Sequence, residues 1–112
     1  MLYHKEVYWP APLNRLLPSG KMELRYSNHA REQCRDKYTD IPILKSIDIS
    51  TGTVVECEII GHKLTKFLWR TRLTDTLDVC MIIQPDGFVR TVWANRSNDR
   101  HRTLDHSKYE RE

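Results

Sequence analysis

The chain has 112 residues, 39% of them hydrophobic and 29% charged, which is the composition of one ordinary globular domain. Its formal net charge of +3 is too small by itself to identify a polyanion partner. The three cysteines, Cys34, Cys57 and Cys80, form no C-x-x-C pair, which argues against a cysteine-based zinc site and fits a reducing compartment. The N-terminus lacks an apolar leader and no run approaches about 20 apolar residues, so we expect a cytoplasmic protein without membrane contact.

Proline content separates the first segment from the rest of the chain. Three prolines and a glycine fall within residues 10–20, and proline removes amide donors and fixes φ, so regular structure is disfavoured there. We therefore expect an extended arm over 1–20 and a core domain over 21–95. From residue 96 onward nearly every side chain is polar, which predicts a solvated tail over 96–112.

The first half of the core domain is predicted to contain one strand and two helices. Alternation of apolar and charged side chains predicts a strand over 21–26. Ser27 can cap a helix over 29–38, in which apolar side chains recur every four residues. A second, short helix is predicted over 41–47 with its proline in the first turn, and a strand over 43–49 is the alternative.

The second half is predicted to consist of β-strands. Runs that alternate, or that are rich in Val and Ile, predict strands over 53–60, 63–73, 77–84 and 88–95. The last two form a hairpin whose loop, Pro85-Asp86-Gly87, joins a residue of preset φ to one that accepts positive φ. The expected fold is α+β: two short helices packed on a four- to five-stranded antiparallel sheet, in the order β-α-α-β-β-β-β.

The strand over 63–73 gives the main signal for a polyanion partner. It carries four cations with no acid between them: Lys63, Lys66, Arg70 and Arg72. The last three fall on one side of the strand and span roughly 20 Å, which suits the phosphates of a nucleic acid. The alternative is a solvated sheet face on which these cations pair with Glu56 and Glu58 of the neighbouring strand.

His29 is a candidate general acid or base. It lies at the start of the first predicted helix, where the helix dipole opposes the positive form of the imidazole. A neutral imidazole can accept a proton, as a general base must. Arg35, within two turns, adds a cation behind it, and a plain surface or capping histidine is the alternative interpretation.

The last predicted strand places Thr91, Trp93 and Asn95 on one face. Hydroxyl and amide donors beside an indole are suited to hold a phosphate and to stack a base. The alternative is that Trp93 belongs to the core and that Thr91 is simply a good strand former.

Metal and cofactor chemistry are not indicated by the sequence. The tail contains four residues of metal-ligand type, but their spacing matches no zinc pattern: Asp99, His101, Asp105 and His106. The sequence has no P-loop, no glycine-rich dinucleotide motif and no nucleophile elbow. We expect neither a metal nor a cofactor.

Two strings point to a family. Tyr26-Ser27-Asn28-His29-Ala30-Arg31 opens a helix directly after a strand, and Arg90-Thr91-Val92-Trp93 lies in the last predicted strand. Together with the basic strand and the element order, they resemble the RelE-like proteins and their relatives with a His-Ala first helix. These belong to a group of compact ribonucleases that includes the colicin-type tRNases, and the resemblance covers residues 21–95.

This resemblance implies a toxin-type endoribonuclease that binds RNA and needs no metal. A base takes the proton of the ribose 2′-OH, the oxygen attacks the adjacent phosphate, and an acid protonates the leaving 5′-oxygen. The implied roles are His29 as base or acid, Arg70 and Arg72 as charge stabilisers, and Thr91 and Asn95 as groups that orient the phosphate. Further RNA contacts are expected from Arg35, Lys63, Lys66, Trp93 and His101, the last also a second candidate acid.

Two other functions stay open on the sequence. One is a non-catalytic module of phage or bacterial type that binds and inhibits a host protein or a nucleic acid. In that case Tyr3, Tyr8 and Trp9 of the arm are candidate anchors for a protein partner or an antitoxin. The other is a metal-dependent enzyme, which would require added divalent metal for activity.

Overall fold

The computed structural model describes residues 5–8, 20–35, 41–61 and 63–98, and for 5–8 the backbone alone. Strands predominate among them, joined by one α-helix and one 3-10 turn. None of the helices in this part of the chain combines the length and the apolar character that a membrane crossing requires.

The secondary structure begins with a strand in the N-terminal segment and ends with a four-stranded meander. The strands are β1 (Lys5–Tyr8), β2 (Lys21–Glu23), β3 (Arg25–Tyr26), β4 (Ser46–Asp48), β5 (Thr53–Ile60), β6 (Lys63–Arg72), β7 (Leu77–Ile83) and β8 (Phe88–Arg96). The helix α1 spans Asn28–Cys34, and the 3-10 turn spans Ile49–Thr51.

Six strands form the main sheet, in the order β1-β5-β6-β7-β8-β3. Neighbours run antiparallel except at one edge, where β3 pairs parallel to the start of β8. The strands β2 and β4 form a separate antiparallel pair. Because β3 and α1 follow each other directly, this topology places the start of α1 beside the start of β8.

One face of the main sheet packs on the core. Phe67 and Trp69 of β6 and Met81 of β7 are almost fully buried there, together with Ala30 and Cys34 of α1. Strand side chains alternate between faces, so the residues between them lie on the opposite side. This opposite side, called the second face below, carries Lys66, Thr91 and a small buried cluster of Leu68, Cys80 and Ile82.

The β7–β8 hairpin closes as its loop sequence predicts. The Gly87 amide donates to the Gln84 carbonyl at 2.8 Å, and Asp86 Oδ1 accepts from the Phe88 amide at 3.1 Å. Gly87 has φ 92°, a conformation that side chains disfavour, and a Cβ there would run into the carbonyl oxygen of Glu23. A glycine is therefore required where the hairpin passes under the end of β2.

The predicted second helix over 41–47 is wrong. Residues 41–45 are irregular, and Ser46–Asp48 forms β4, inside the range of the alternative strand. The pairing of Ile47 with Met22 decides the structure, since it buries both side chains against the core. The three apolar residues that recur at helical spacing over 41–47 stabilise an isolated helix only weakly. Tertiary packing therefore decides the local structure.

The predicted sheet also differs from the observed one. The strand expected over 21–26 is divided at Leu24 between two sheets, and β1 adds a strand that the proline-rich arm did not indicate. The main sheet therefore has six strands rather than four or five, and one pair is parallel. Of the arm, residues 5–8 and 20 are described; the tail beyond residue 98 lies outside the described residues.

Candidate functional site

A cleft of about 320 Å³ opens between the start of α1 and the second face of the sheet. It is lined by residues from four elements and the β3–α1 junction: Ser27, His29, Lys66, Ile82, Phe88, Arg90 and Thr91. We call it the His29 cleft. Four of its side chains offer polar hydrogen to a ligand, and they come from α1, β6 and β8.

Ser27 fixes the geometry of the cleft. Its Oγ accepts from the Ala30 amide at 3.0 Å, which is an N-cap, and it donates to the Arg90 carbonyl at 3.0 Å. The Ser27 hydroxyl thus caps the start of α1, directly after β3, and binds it to β8. His29, one residue into the helix, is exposed beside Arg90 as a result.

Arg90 faces the cleft because β8 contains an irregularity. Thr91 lies opposite Ile82 and Val89 lies opposite Ile83, so Arg90 is one extra residue without a partner on β7. Such a bulge breaks the strict alternation of side chains and re-aims one of them. The exposed Arg90 guanidinium has no ion pair with any residue of the described ranges.

Thr91 contributes a hydroxyl to the cleft. The residue is 5% exposed, and it lines the cleft from the second face. Within the part of the chain that the structure describes, its Oγ1 makes no hydrogen bond. The hydroxyl is therefore available to donate to a ligand group or to accept from one.

Lys66 brings an ammonium group into the cleft from β6. Its Nζ lies 3.7 Å from Oε2 of Glu58, a buried carboxylate on β5, whose Oε1 accepts from Thr65 Oγ1 at 2.8 Å. The alternative that strand cations pair with Glu58 is therefore confirmed for Lys66. The cleft still holds excess positive charge, since Arg90 lines the same space and has no ion pair among the described residues.

Phe88 forms an aromatic wall of the cleft. The guanidinium carbon of Arg25 lies 5.5 Å from the centre of its ring, a cation–π arrangement. Arg25 in turn pairs with Asp86 at 3.0 Å. Phe88 is half-buried, so part of the ring remains open to a ligand.

Arg70 and Arg72 lie in a different cleft, of about 360 Å³, which does not include His29. Both guanidinium groups bind one carboxylate: Arg70 Nε lies 2.7 Å from Asp78 Oδ2 and Arg72 Nε 2.9 Å from Asp78 Oδ1. Arg70 also donates to the Arg96 carbonyl at 2.7 Å. The register explains this pairing, because Asp78 lies opposite Arg72 and one step from Arg70 on the same face. The structure thus separates the two predicted charge stabilisers from His29 and partly neutralises them.

The other predicted residues are spread over the domain. Trp93 packs beside the Leu68 cluster, and Asn95 is buried opposite Asp78 with no hydrogen bond at Nδ2 among the described residues. Arg35 and Lys63 are exposed at the end of α1 and the start of β6, and neither lines the His29 cleft. His101 lies outside the described residues.

Sequence reasoning found His29, Lys66 and Thr91 but missed Ser27, Phe88 and Arg90 as members of the site. A regular strand would place Arg90 on the face opposite Thr91, and the bulge that changes this leaves no mark in the sequence. Ser27 was expected only as a helix cap. Its second bond, to Arg90, spans 63 positions of the chain.

The three thiols play no part in the cleft. Cys34, Cys57 and Cys80 are buried and form no disulfide bond, and burial raises the pKa of Cys57 to about 11 and also raises the pKa of Cys34. Since the thiolate is the reactive form, Cys34 and Cys57 are poor nucleophiles at neutral pH. Among the described residues, no three His, Cys, Asp or Glu side chains come together in a group that would hold a metal ion.

Comparison with known proteins finds no matching family model, no similar curated protein and no similar solved structure. The resemblance to RelE-like ribonucleases therefore stays a prediction, and the function has to be argued from the cleft.

Proposed function

We propose that this protein binds single-stranded RNA and that the His29 cleft receives a phosphate and a neighbouring base. The observation that carries the proposal is the convergence of four donors on one cleft: the imidazole of His29, the ammonium of Lys66, the guanidinium of Arg90 and the hydroxyl of Thr91. An anion with two non-bridging oxygens, such as a phosphodiester, matches this donor set, since Arg can give it two parallel hydrogen bonds.

The aromatic wall favours a nucleotide over a simple anion. Phe88 offers part of its ring next to the donors, and a base that stacks on an aromatic side chain gains about 1–3 kcal/mol. The cleft volume of about 320 Å³ lies at the lower end of small-ligand sites, which suits one nucleotide rather than a duplex. A base must leave its stack to enter such a cleft, so a single strand is the expected ligand. The choice of RNA over DNA follows the predicted RelE-like resemblance.

Cleavage of the bound strand needs more than this cleft supplies. Transesterification requires one group to take the 2′-OH proton and another to protonate the 5′-oxygen as the phosphorus–oxygen bond breaks. Among the described residues that line the cleft, His29 is the one imidazole, and none carries a carboxyl or a thiol that could serve as the second proton-transfer group. The geometry therefore supports binding best, and His29 with Lys66 and Arg90 provides part of a cleavage site.

Fluorescence anisotropy with a labelled RNA of about ten nucleotides tests the proposal. Arg90→Ala removes a charge-assisted contact and should weaken binding by about 10- to 100-fold. The matched control is Lys63→Ala, which removes an equally exposed cation outside the cleft and should leave the affinity within about twofold. Equal effects of the two variants, or no binding by the unaltered protein, would overturn the proposal. Incubation of the unaltered protein and of a His29→Ala variant with RNA in EDTA shows whether the substitution abolishes any cleavage.

A further inference from the structure

A second basic cleft lies on the other side of Phe88. Its volume is about 500 Å³, and the strands β2 and β3 and the segment before β4 form most of it. Its lining consists of Lys21, Glu23, Leu24, Arg25, Lys45, Ser46 and Asp86. The segment is held against β2 by the hydrogen bond from the Leu24 amide to the Lys45 carbonyl, at 2.9 Å.

One contact joins the linings of the two clefts. Arg25 lines the second cleft, and its guanidinium lies over the ring of Phe88, which lines the His29 cleft. A ligand that leaves the His29 cleft past Phe88 therefore meets Arg25 next. The cation–π stack is the point where the two sites join.

The second cleft offers free cations. Lys21 and Lys45 are exposed, and neither has an ion pair within the described residues. Arg25 pairs with Asp86 at 3.0 Å, but both side chains are more than half exposed, at 65% and 59%. Such a pair contributes little in water and can be exchanged for a phosphate contact. Against these three cations stand the carboxylates of Glu23 and Asp86, so the cleft keeps a small positive excess.

We infer that a bound RNA strand continues from the His29 cleft, past Phe88 and Arg25, into the cleft of Lys21 and Lys45. The inference rests on the proposed function and extends it from one nucleotide to a path of several. A chain of phosphates fits because cations line both clefts and the Phe88 ring of the first cleft is in contact with Arg25 of the second. This alternation of charged groove and stacking ring is the arrangement that single-stranded nucleic acids bind.

The effect of oligonucleotide length tests this path. The double variant Lys21→Ala/Lys45→Ala removes two exposed cations, and the matched control Lys63→Ala/Arg35→Ala removes two exposed cations outside both clefts. Each is titrated with RNAs of about three and about ten nucleotides at several salt concentrations. Circular dichroism of each variant checks that the fold is kept.

We expect the double variant to bind the short RNA as the unaltered protein does, and the long RNA about tenfold more weakly. The slope of log affinity against log salt should fall by about 1.4 for the long RNA, since each phosphate contact on a single strand contributes about 0.7. The control should change neither. Unchanged binding of the long RNA by the double variant overturns the path and leaves the His29 cleft standing. Failure of the unaltered protein to bind either RNA overturns the proposed function itself. The double variant is also titrated with an acidic peptide that carries the same charge as the long RNA. If its affinity for the peptide falls by the same factor, the surface binds anions in general and the path is overturned.

Discussion

The hydroxyl of Ser27 lies 3.0 Å from the carbonyl oxygen of Arg90 and donates a hydrogen bond to it. Ser27 Oγ also accepts from the Ala30 amide at 3.0 Å, so the start of α1 and the bulge of β8 are held by one side chain. The position of His29 relative to Arg90 therefore depends on this hydroxyl, and the Val92 amide adds a second link by donating to Gln33 Oε1 of α1 at 2.8 Å.

Ser27→Ala should therefore affect stability and binding together. Loss of the helix cap costs about 1 kcal/mol, and loss of the bond to β8 adds a similar amount. RNA affinity should fall as well, because the cleft groups lose their relative position. Ser27→Thr keeps a hydroxyl that can cap the helix and should restore most of both. Urea unfolding and anisotropy on the same samples measure the two effects, and a variant that loses stability but keeps full affinity would show that the link does not organise the cleft.

Gly87→Ala should be much more damaging than Gly61→Ala. Both glycines have positive φ, at 92° and 55°, so both substitutions impose about 1–2 kcal/mol of backbone strain. At Gly61 a Cβ meets no atom within 4 Å, whereas at Gly87 it collides with the Glu23 carbonyl. We expect Gly61→Ala to lower the free energy of unfolding by about 1 kcal/mol and Gly87→Ala by about 3 kcal/mol or more. Similar losses in urea unfolding would contradict the close approach of the hairpin to β2.

Asp78→Asn should destabilise the fold and leave RNA binding unchanged. The carboxylate holds both arginines, and the side chains of Asp78 and Arg70 are each 12% exposed, so removing its charge leaves a largely buried guanidinium without a counterion. The expected loss is about 2–4 kcal/mol. Arg72→Ala is the control: its side chain is 62% exposed, and it should change stability by about 1 kcal/mol or less. Loss of RNA affinity in folded Arg72→Ala would restore the sequence-based role for this cation.

Because of Cys57, we expect the free energy of unfolding to fall in alkaline solution. Burial raises its pKa from 9.0 to about 11, because the thiolate is poorly solvated in the core. Below pH 9.0 both folded and unfolded chains hold the proton, so this group adds no pH dependence there. As the pH rises from 9.0 towards about 11, the unfolded chain loses the proton first, and the free energy of unfolding falls. Urea titrations across this range should show a smaller fall for Cys57→Ala, and an identical fall would mean that the thiol is not responsible.

The meander could be predicted from the sequence because its signals are local. Strands β5 to β8 combine β-branched runs with a loop, Pro85-Asp86-Gly87, whose residues match its backbone conformation. The region before it could not, because tertiary contacts decide it. Ile47 enters a strand since Met22 lies opposite, and Leu24 separates two short strands that belong to different sheets.

The strand residues of the site were predicted only where side chains alternate regularly between the two faces of the sheet. Thr91 and Lys66 fall on the second face, as a regular strand requires, and His29 follows the cap of α1. The orientation of Arg90 depends on a bulge in β8. The ion pairs of Arg70 and Arg72 depend on the strand register that places Asp78 near both. Neither a bulge nor a register is visible in one sequence, so the cations were assigned to one site when they lie in two separate clefts.

The most direct test of the account is an NMR titration of the ¹⁵N-labelled protein with a single-stranded RNA of about ten nucleotides. We expect the largest amide shift changes at Ser27, His29, Arg90 and Thr91, with smaller ones at Lys21 and Lys45. Changes concentrated instead at Thr53, Arg70 and Arg72, with the amides around the His29 cleft unmoved, would contradict it.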